Sequence, residues 1–135
     1  MEFPPQLRPG LAGSAELIVG EEHTAPSIGS GKVHVLGTPV MINLIEAAAL
    51  AAAEHLLPAG FQSLGTRLDV RHIAATPVGM RVRAKAELIW VQGRTLTFRV
   101  KARDEKDLIG DGLHERVVVE VAKFDRRVQA KLGRR

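Results

Sequence analysis

The sequence predicts an α+β fold in which a curled, five-stranded antiparallel sheet wraps around one long central helix. Three observations carry this prediction. A segment over residues 38–53 is apolar on nearly every face, which is typical of a helix enclosed by the rest of its protein. From about residue 64 the apolar residues alternate with polar ones, as in strands with one covered face. Short turns join these later segments, so neighbouring strands should be antiparallel.

The elements follow one another along a single domain of 135 residues. Thr38 is a favoured N-cap and Pro39 a favoured first residue of the helix, which should end before Pro58. In order, the sequence predicts an irregular lead-in over residues 1–14, a strand over 15–19, a loop over 20–37, the helix, and strands over about 64–73, 80–91, 95–103 and 109–124.

Alternation also predicts which side chains face the helix. In the second strand Leu64, Leu68, Val70 and His72 share the inward face. In the next two strands the inward residues are predicted to be Val82, Ala84, Ala86, Leu88 and Trp90, then Leu96, Phe98, Val100 and Ala102. A sheet curled around a helix in this way is the hot-dog arrangement, and a helix lying on an open sheet is the structural alternative.

Composition narrows the classes of function. The chain has no cysteine, which excludes disulfides, thiolate metal sites and a cysteine nucleophile. A basic C-terminal tail over residues 126–135 holds five basic residues and no acidic one. Residues 1–125 then carry 14 basic against 15 acidic side chains, so nucleic-acid binding is not expected as the main function. There is no apolar run of about 20 residues and no signal-peptide pattern, so we expect a cytoplasmic protein that does not enter a membrane.

Glu46 is the most informative single residue. It lies in the middle of the apolar helix, and most residues three and four positions away, such as Ile42 and Leu50, are apolar. A carboxylate in such surroundings is retained mainly when it is paired or when it does chemistry. Glu54, nearer the helix end, is explained as a solvated or ion-paired residue. We therefore interpret Glu46 as a functional acid.

Thr38 and His72 are less informative when each is taken alone. Thr38 is explained as an N-cap, and a histidine on an apolar strand face is more often a satisfied core residue than a catalyst. The other four histidines, including His114, form no metal-ligand spacing, so no metal site is predicted. The chain also lacks a glycine-rich phosphate loop and a serine elbow.

Several stretches of the sequence connect these residues. They read LGTPVMINLIE over residues 36–46, SLGT over 63–66, HIAATP over 72–77, IGDGLHER over 109–116 and KF over 123–124. In residue type and spacing they resemble the fluoroacetyl-CoA thioesterase family of hot-dog proteins. The resemblance covers about residues 36–130, which is most of the domain.

The resemblance implies a function and a site. Thr38, Glu46 and His72 fall on the catalytic residues of the family, Gly65 on a glycine whose backbone lines the acyl site, and Arg116 on an arginine near the acyl group. Members hydrolyse small acyl-CoA thioesters without a metal or an organic cofactor, and they form homodimers. The fluoroacetyl-specific enzyme guards its acyl pocket with aromatic residues upstream of this region, where this chain has SGKVH over residues 30–34. An ordinary short-chain acyl group is therefore expected.

Spacing along the helix adds a constraint. Thr38 and Glu46 are eight residues apart, which corresponds to about 12 Å along a helix axis. Since this is too far for direct contact within one chain, we predict that a second subunit completes a site at a two-fold interface. Glu46 would serve as nucleophile or general base, His72 would relay protons or polarise the carbonyl, and Thr38 would hold or activate the attacking group. Which of Thr38 and Glu46 attacks the acyl carbon stays open. Assembly beyond a dimer, to a tetramer or larger, stays open.

Three other functions remain as alternatives. A non-catalytic acyl-CoA sensor on the same fold would have no need for a buried acid beside a histidine. An enoyl-CoA hydratase or dehydratase would use Glu46 or His72 for proton transfer without releasing thiol. Nucleic-acid binding through the basic tail would depend strongly on salt. For the CoA phosphates, the candidates are Arg67, Arg71, Arg94 and the C-terminal arginines.

Overall fold

The computed structural model describes residues 3–133, which form one sheet and a long central helix. The strands are β1 (Ala12–Ile18), β2 (Phe61–His72), β3 (Arg81–Gln92), β4 (Thr95–Arg103) and β5 (Leu108–Glu120). The α-helices are α1 (Ala25–Ile28), α2 (Thr38–Ala53) and α3 (Val121–Ala130), with short 3-10 turns at Glu21–His23 and Glu54–Leu56.

All five strands belong to one antiparallel sheet in the order β1-β3-β4-β5-β2. The sheet curls around α2, and the core lies between the buried side of that helix and the inner face of the sheet. The predicted α+β hot-dog class is therefore confirmed. The inward residues predicted for β4 are also confirmed, because each of them is at most 1% exposed.

Two β-bulges reverse predicted side-chain directions. In β2 the register shifts between Gly65 and Arg67, and in β3 it shifts between Leu88 and Trp90. Because one extra residue inverts the alternation on one side of a bulge, strict period two fails there. Leu64 is exposed although it was predicted to face inward with His72, and Trp90 is 57% exposed although it was predicted to continue the inward face of Leu88. Leu68, on the His72 side of the bulge, is also exposed although it was predicted to face inward.

The chain ends also differ from the sequence prediction. The first strand begins at Ala12 and ends at Ile18, so the irregular lead-in is shorter than residues 1–14. The last strand ends at Glu120, and α3 occupies much of the stretch predicted as strand end and basic tail. The missed signal is the helical spacing of Val121, Phe124 and Val128, which replaces alternation at this point.

The central helix is not enclosed on every side. Met41 and Ile45 are buried against the sheet, whereas Asn43, Ala47 and Leu50 are exposed and Glu46 is half-buried. By length and composition the segment Thr38–Leu56 could cross a membrane, but it is the core helix of this fold, which makes that reading weak. The prediction of a fully enclosed helix is wrong for one face, and that face carries Glu46.

Candidate active site

Thr38 and His72 form the first group of the site. The Thr38 hydroxyl oxygen lies 2.7 Å from Nδ1 of His72, so a hydrogen bond joins the start of α2 to the end of β2. Gly37, not Thr38, is the N-cap, and no side-chain cap is formed. The predicted capping role of Thr38 is therefore wrong, because its hydroxyl is engaged by the histidine instead.

The second ring nitrogen of His72 has no partner. Nε2 is buried and makes no hydrogen bond with any residue in the described range 3–133. Burial lowers the pKa of His72, and the backbone of Ala74 acts in the opposite direction. Leaving a buried polar atom without a hydrogen bond costs about 1–3 kcal/mol. A hydrogen bond between Nε2 of the neutral imidazole and a molecule bound in the site would recover this cost.

An open cleft of about 370 Å³ adjoins this pair. Its walls come from the loop that precedes α2 and from the chain that leaves β2, and Thr38 and His72 lie on its surface. Lys32 and Val33 line the cleft from the loop, and Val33 is exposed. The lining residues are Ala25, Ser30, Gly31, Lys32, Val33, Val35, Leu36, Thr38, His72, Ile73, Ala74 and Ala75.

Glu46 belongs to a second group. Nη1 of Arg116 donates to its Oε2 atom over 3.4 Å, and Nε2 of His114 lies 4.0 Å from the same oxygen. A Cβ atom on Gly65 would come 2.5 Å from this oxygen, so only glycine leaves room for the carboxylate as it is placed. The structure thus brings Glu46, Gly65 and Arg116 together, three of the five residues that the sequence predicted for the site.

Arg116 is held in place by Ser63, which is in turn bound to Glu54, and the sequence predicted neither of these two residues for the site. Its Nε donates to Oγ of Ser63 over 2.8 Å, and its Nη2 donates to the Ser63 carbonyl oxygen over 3.1 Å. Ser63 in turn donates from its hydroxyl and its backbone amide to the carboxylate of Glu54, at 2.5 and 2.8 Å. Glu54 is therefore a structural acceptor at the end of the central helix.

His114 is the other residue that the sequence analysis left aside. It is fully buried, its Nδ1 lies 2.8 Å from the Arg67 carbonyl oxygen, and its ring stacks on Phe98 with centroids 6.3 Å apart. Burial lowers its pKa and the charge of Arg116 adds to this, while the Arg67 carbonyl and Glu46 oppose it. The available signal was alternation, which places His114, Arg116 and buried Val118 on one face of β5.

The two groups remain separate within one chain. Thr38 and Glu46 both belong to α2, and over residues 3–133 no hydrogen bond or ion pair joins Glu46 to Thr38 or His72. The same described range contains no group of three or more residues able to hold a metal ion. Chemistry without a metal or cofactor stays a prediction from the sequence.

Comparison with known proteins identifies relatives of the chain. The family model described as fluoroacetyl-CoA-specific thioesterase matches residues 19–122. The fluoroacetyl-CoA thioesterase of Streptantibioticus cattleyicolor is 45% identical over 97 residues, which are 72% of this chain and 70% of that protein.

Solved structures of thioesterases also resemble this chain. A structure of the fluoroacetyl-CoA thioesterase FlK superposes with a TM-score of 0.86 at 37% identity, covering 92% of this chain and 96% of that one. A thioesterase superfamily member from Thermus thermophilus superposes with a TM-score of 0.86 at 30% identity, covering 96% and 98% of the two chains.

Proposed function

This chain belongs to the fluoroacetyl-CoA-specific thioesterase family, and on that premise we propose that it hydrolyses small acyl-CoA thioesters to the free acid and CoA. Its enzyme class is thioester hydrolase, and its fold is that of the hot-dog thioesterases. The observation that carries the proposal is the Thr38–His72 pair, which lies in an open cleft with one imidazole nitrogen unpaired.

The chemistry needs an attacking group, a proton route and a stabiliser for the oxyanion. In our proposal Glu46 acts as general base or nucleophile on the thioester carbonyl. In the same proposal His72 relays protons, Thr38 orients the imidazole through Nδ1, and bound substrate supplies the partner that the buried Nε2 lacks among the described residues. Water supplies the oxygen that joins the acyl carbon, the C–S bond breaks, and the departing CoA sulfur gains a proton.

We propose that two chains complete each site as a homodimer. β2 is a 12-residue edge strand whose outer side pairs with no strand in residues 3–133, while the opposite edge strand β1 has 7 residues. A long open edge readily pairs with a second copy, and two-fold pairing buries the same surface on both subunits. Such pairing would cover the open face of α2 and bring Glu46 of one chain towards the Thr38–His72 pair of its partner.

Dimerisation is tested by light scattering on the purified protein. The expected mass is twice the 14.6 kDa of one chain at every concentration at which the enzyme is active. A stable monomer with full activity would contradict the proposal that two subunits share a site. A larger mass would indicate that dimers associate further.

The small size of the acyl group is proposed from the family to which the chain belongs. The loop over residues 30–34 contains no phenylalanine, tyrosine or tryptophan, so we propose no special preference for fluoroacetyl over acetyl. Because acyl-CoA thioesters are intracellular metabolites, we propose a cytoplasmic location.

The decisive experiment measures free-thiol release from acetyl-, fluoroacetyl-, longer-chain and aryl-CoA thioesters. Thr38→Ala, Glu46→Gln and His72→Ala should each lower kcat about 10²- to 10⁴-fold, which is the usual contribution of acid–base groups. The control is His55→Gln, an exposed histidine at the end of the helix region, and it should keep full activity. Tight CoA-ester binding without thiol release would favour the sensor alternative, and hydration of an enoyl-CoA without thiol release would favour a hydratase.

A further inference from the structure

One buried ionisable residue, His114, has no role in the proposed chemistry. Its side chain is inaccessible to solvent, so it cannot touch a substrate, yet it lies 4.0 Å from the Glu46 carboxylate. The other charged group near its ring is Arg116 on the same strand. From β2 it meets the Arg67 backbone, and from β4 it meets the ring of Phe98, neither of which titrates.

The hydrogen bonds of His114 define its tautomer. A carbonyl oxygen can only accept, so the 2.8 Å contact with Arg67 requires a proton on Nδ1. An arginine N–H can only donate, so the 3.2 Å contact with Nη1 of Arg116 requires that Nε2 be unprotonated. Both contacts are satisfied only by the neutral imidazole with its proton on Nδ1.

This tautomer gives Arg116 an acceptor on the side where Glu46 lies. Nε and Nη2 of the guanidinium are held by Ser63, while Nη1 lies between Nε2 of His114 and Oε2 of Glu46. The contact with His114 is 3.2 Å and the contact with Glu46 is 3.4 Å. The imidazole therefore anchors the nitrogen that Arg116 presents to the carboxylate.

We propose that His114 is a positioning residue for hydrolysis, which acts through Arg116 to hold the Glu46 carboxylate in its reactive orientation. The inference rests on the proposed function, because it assumes that Glu46 takes part in the reaction. A buried guanidinium that loses one acceptor turns its N–H groups towards other acceptors. The Glu46 carboxylate that it holds would then move out of its reactive position, and hydrolysis would slow.

Two substitutions separate the two hydrogen bonds of the ring. In His114→Gln the amide oxygen reaches the position of Nε2 and can accept from Arg116. In His114→Asn the shorter amide reaches the position of Nδ1 and can donate to the Arg67 carbonyl, but no acceptor remains for Arg116. The control, His55→Asn, makes the same change at an exposed histidine.

The test measures kcat and KM for acetyl-CoA, together with the melting temperature of each variant. We expect His114→Asn to lower kcat about 10- to 100-fold with KM changed less than about 3-fold, as for loss of a hydrogen bond to a charged group. His114→Gln should stay within about 5-fold of the parent kcat. A folded His114→Asn with unchanged kcat, or equal losses in both variants, would overturn the proposal.

A second measurement does not depend on activity. The ¹⁵N shifts of the His114 ring report directly which nitrogen carries the proton in the folded protein. Neutral imidazole protonated on Nδ1 supports the proposal, and protonation on Nε2 overturns it. The two measurements can fail separately. If neither the parent nor His55→Asn releases thiol from any ester, the proposed function is wrong. If the ring still shows a proton on Nδ1 in that case, the hydrogen bond between His114 and Arg116 is nevertheless supported.

Discussion

The inner face of the sheet has two unlike halves. Over β3 and β4 it is entirely apolar and fully buried, with Leu88 and Phe98 among its largest side chains. Over β2 and β5 the same face carries Ser63, His114 and Arg116, all buried, next to an outer edge that no other described strand pairs with. The two halves therefore differ in the side chains that they present to the interior of the fold.

The comparison separates stability from function. The apolar half needs only volume and burial, which alternation supplies along β4 and along β3 as far as the bulge after Leu88. The polar half holds buried polar side chains in a chain of contacts from Glu54 through Ser63 and Arg116 to Glu46, and among the described residues it leaves Nε2 of His72 unpaired. We therefore expect substitutions in the first half to act mainly on folding and those in the second half mainly on catalysis.

The largest expected effect is on the apolar half. Phe98→Ala should lower the free energy of unfolding by about 3–5 kcal/mol, because it removes a fully buried aromatic ring and leaves a cavity. Urea unfolding followed by circular dichroism measures this loss. Ser63→Ala in the polar half should cost about 1–3 kcal/mol. Equal losses for the two variants would remove the distinction between the halves.

The next largest effect is expected for a substitution in the polar half, at the glycine that lies against Glu46. In Gly65→Ala the new methyl group would collide with Oε2 of Glu46 and approach Cε1 of His114 at 3.2 Å. Since a carboxylate at the end of a flexible side chain can move aside, the melting temperature should change little. We expect kcat to fall about 10- to 100-fold, as for displacement of a catalytic group. Gln62→Ala, an outward-facing change on the same strand, is the control, and a fall of equal size there would contradict the interpretation.

A smaller effect concerns pH. Burial lowers the pKa of His72 and His114 in the folded protein, so the unfolded chain binds more protons below about 6.5, the ordinary pKa of histidine. Stability should therefore be complete above that pH and fall as the pH drops, by at most about 1.4 kcal/mol per pH unit for each histidine. Urea titrations between pH 5 and 8 measure the slope. The double variant His72→Gln, His114→Gln should reduce the slope of the free energy of unfolding against pH. An unchanged slope would show that these two histidines do not cause the pH dependence.

The smallest effect tests the bulge in β3. Trp90→Thr should change the free energy of unfolding by less than about 1 kcal/mol, because the indole points away from the core and threonine suits a strand. Leu88→Ala, only two residues away, should cost about 2–5 kcal/mol. Thermal unfolding of both variants checks the contrast, and a large loss for Trp90→Thr would mean that its side chain faces inward after all.

Much of the fold follows from local pattern. The apolar segment predicted α2, and alternation predicted β3 and β4 with their core residues. The same alternation misplaced Leu64 and Trp90, because a bulge depends on the register with a neighbouring strand. In β2 the isolated Gly65 was an available signal, whereas the β3 bulge at Leu88 and Trp90 has no such glycine. The extension of the last strand into α3 was missed where helical spacing replaced alternation over only a few residues.

For the site, the sequence by itself determined the residue types, and through its resemblance to a family it singled out Thr38, Gly65, Glu46, His72 and Arg116. Only the tertiary structure decided their grouping. The bulge in β2 places Gly65 beneath Glu46 while His72 still reaches Thr38, and pairing of β2 with β5 brings Ser63 to Arg116 across 53 positions of chain. Hydrogen bonds of this kind depend on distances of a few tenths of an ångström between strands, and such distances arise only when the whole sheet has closed around the helix.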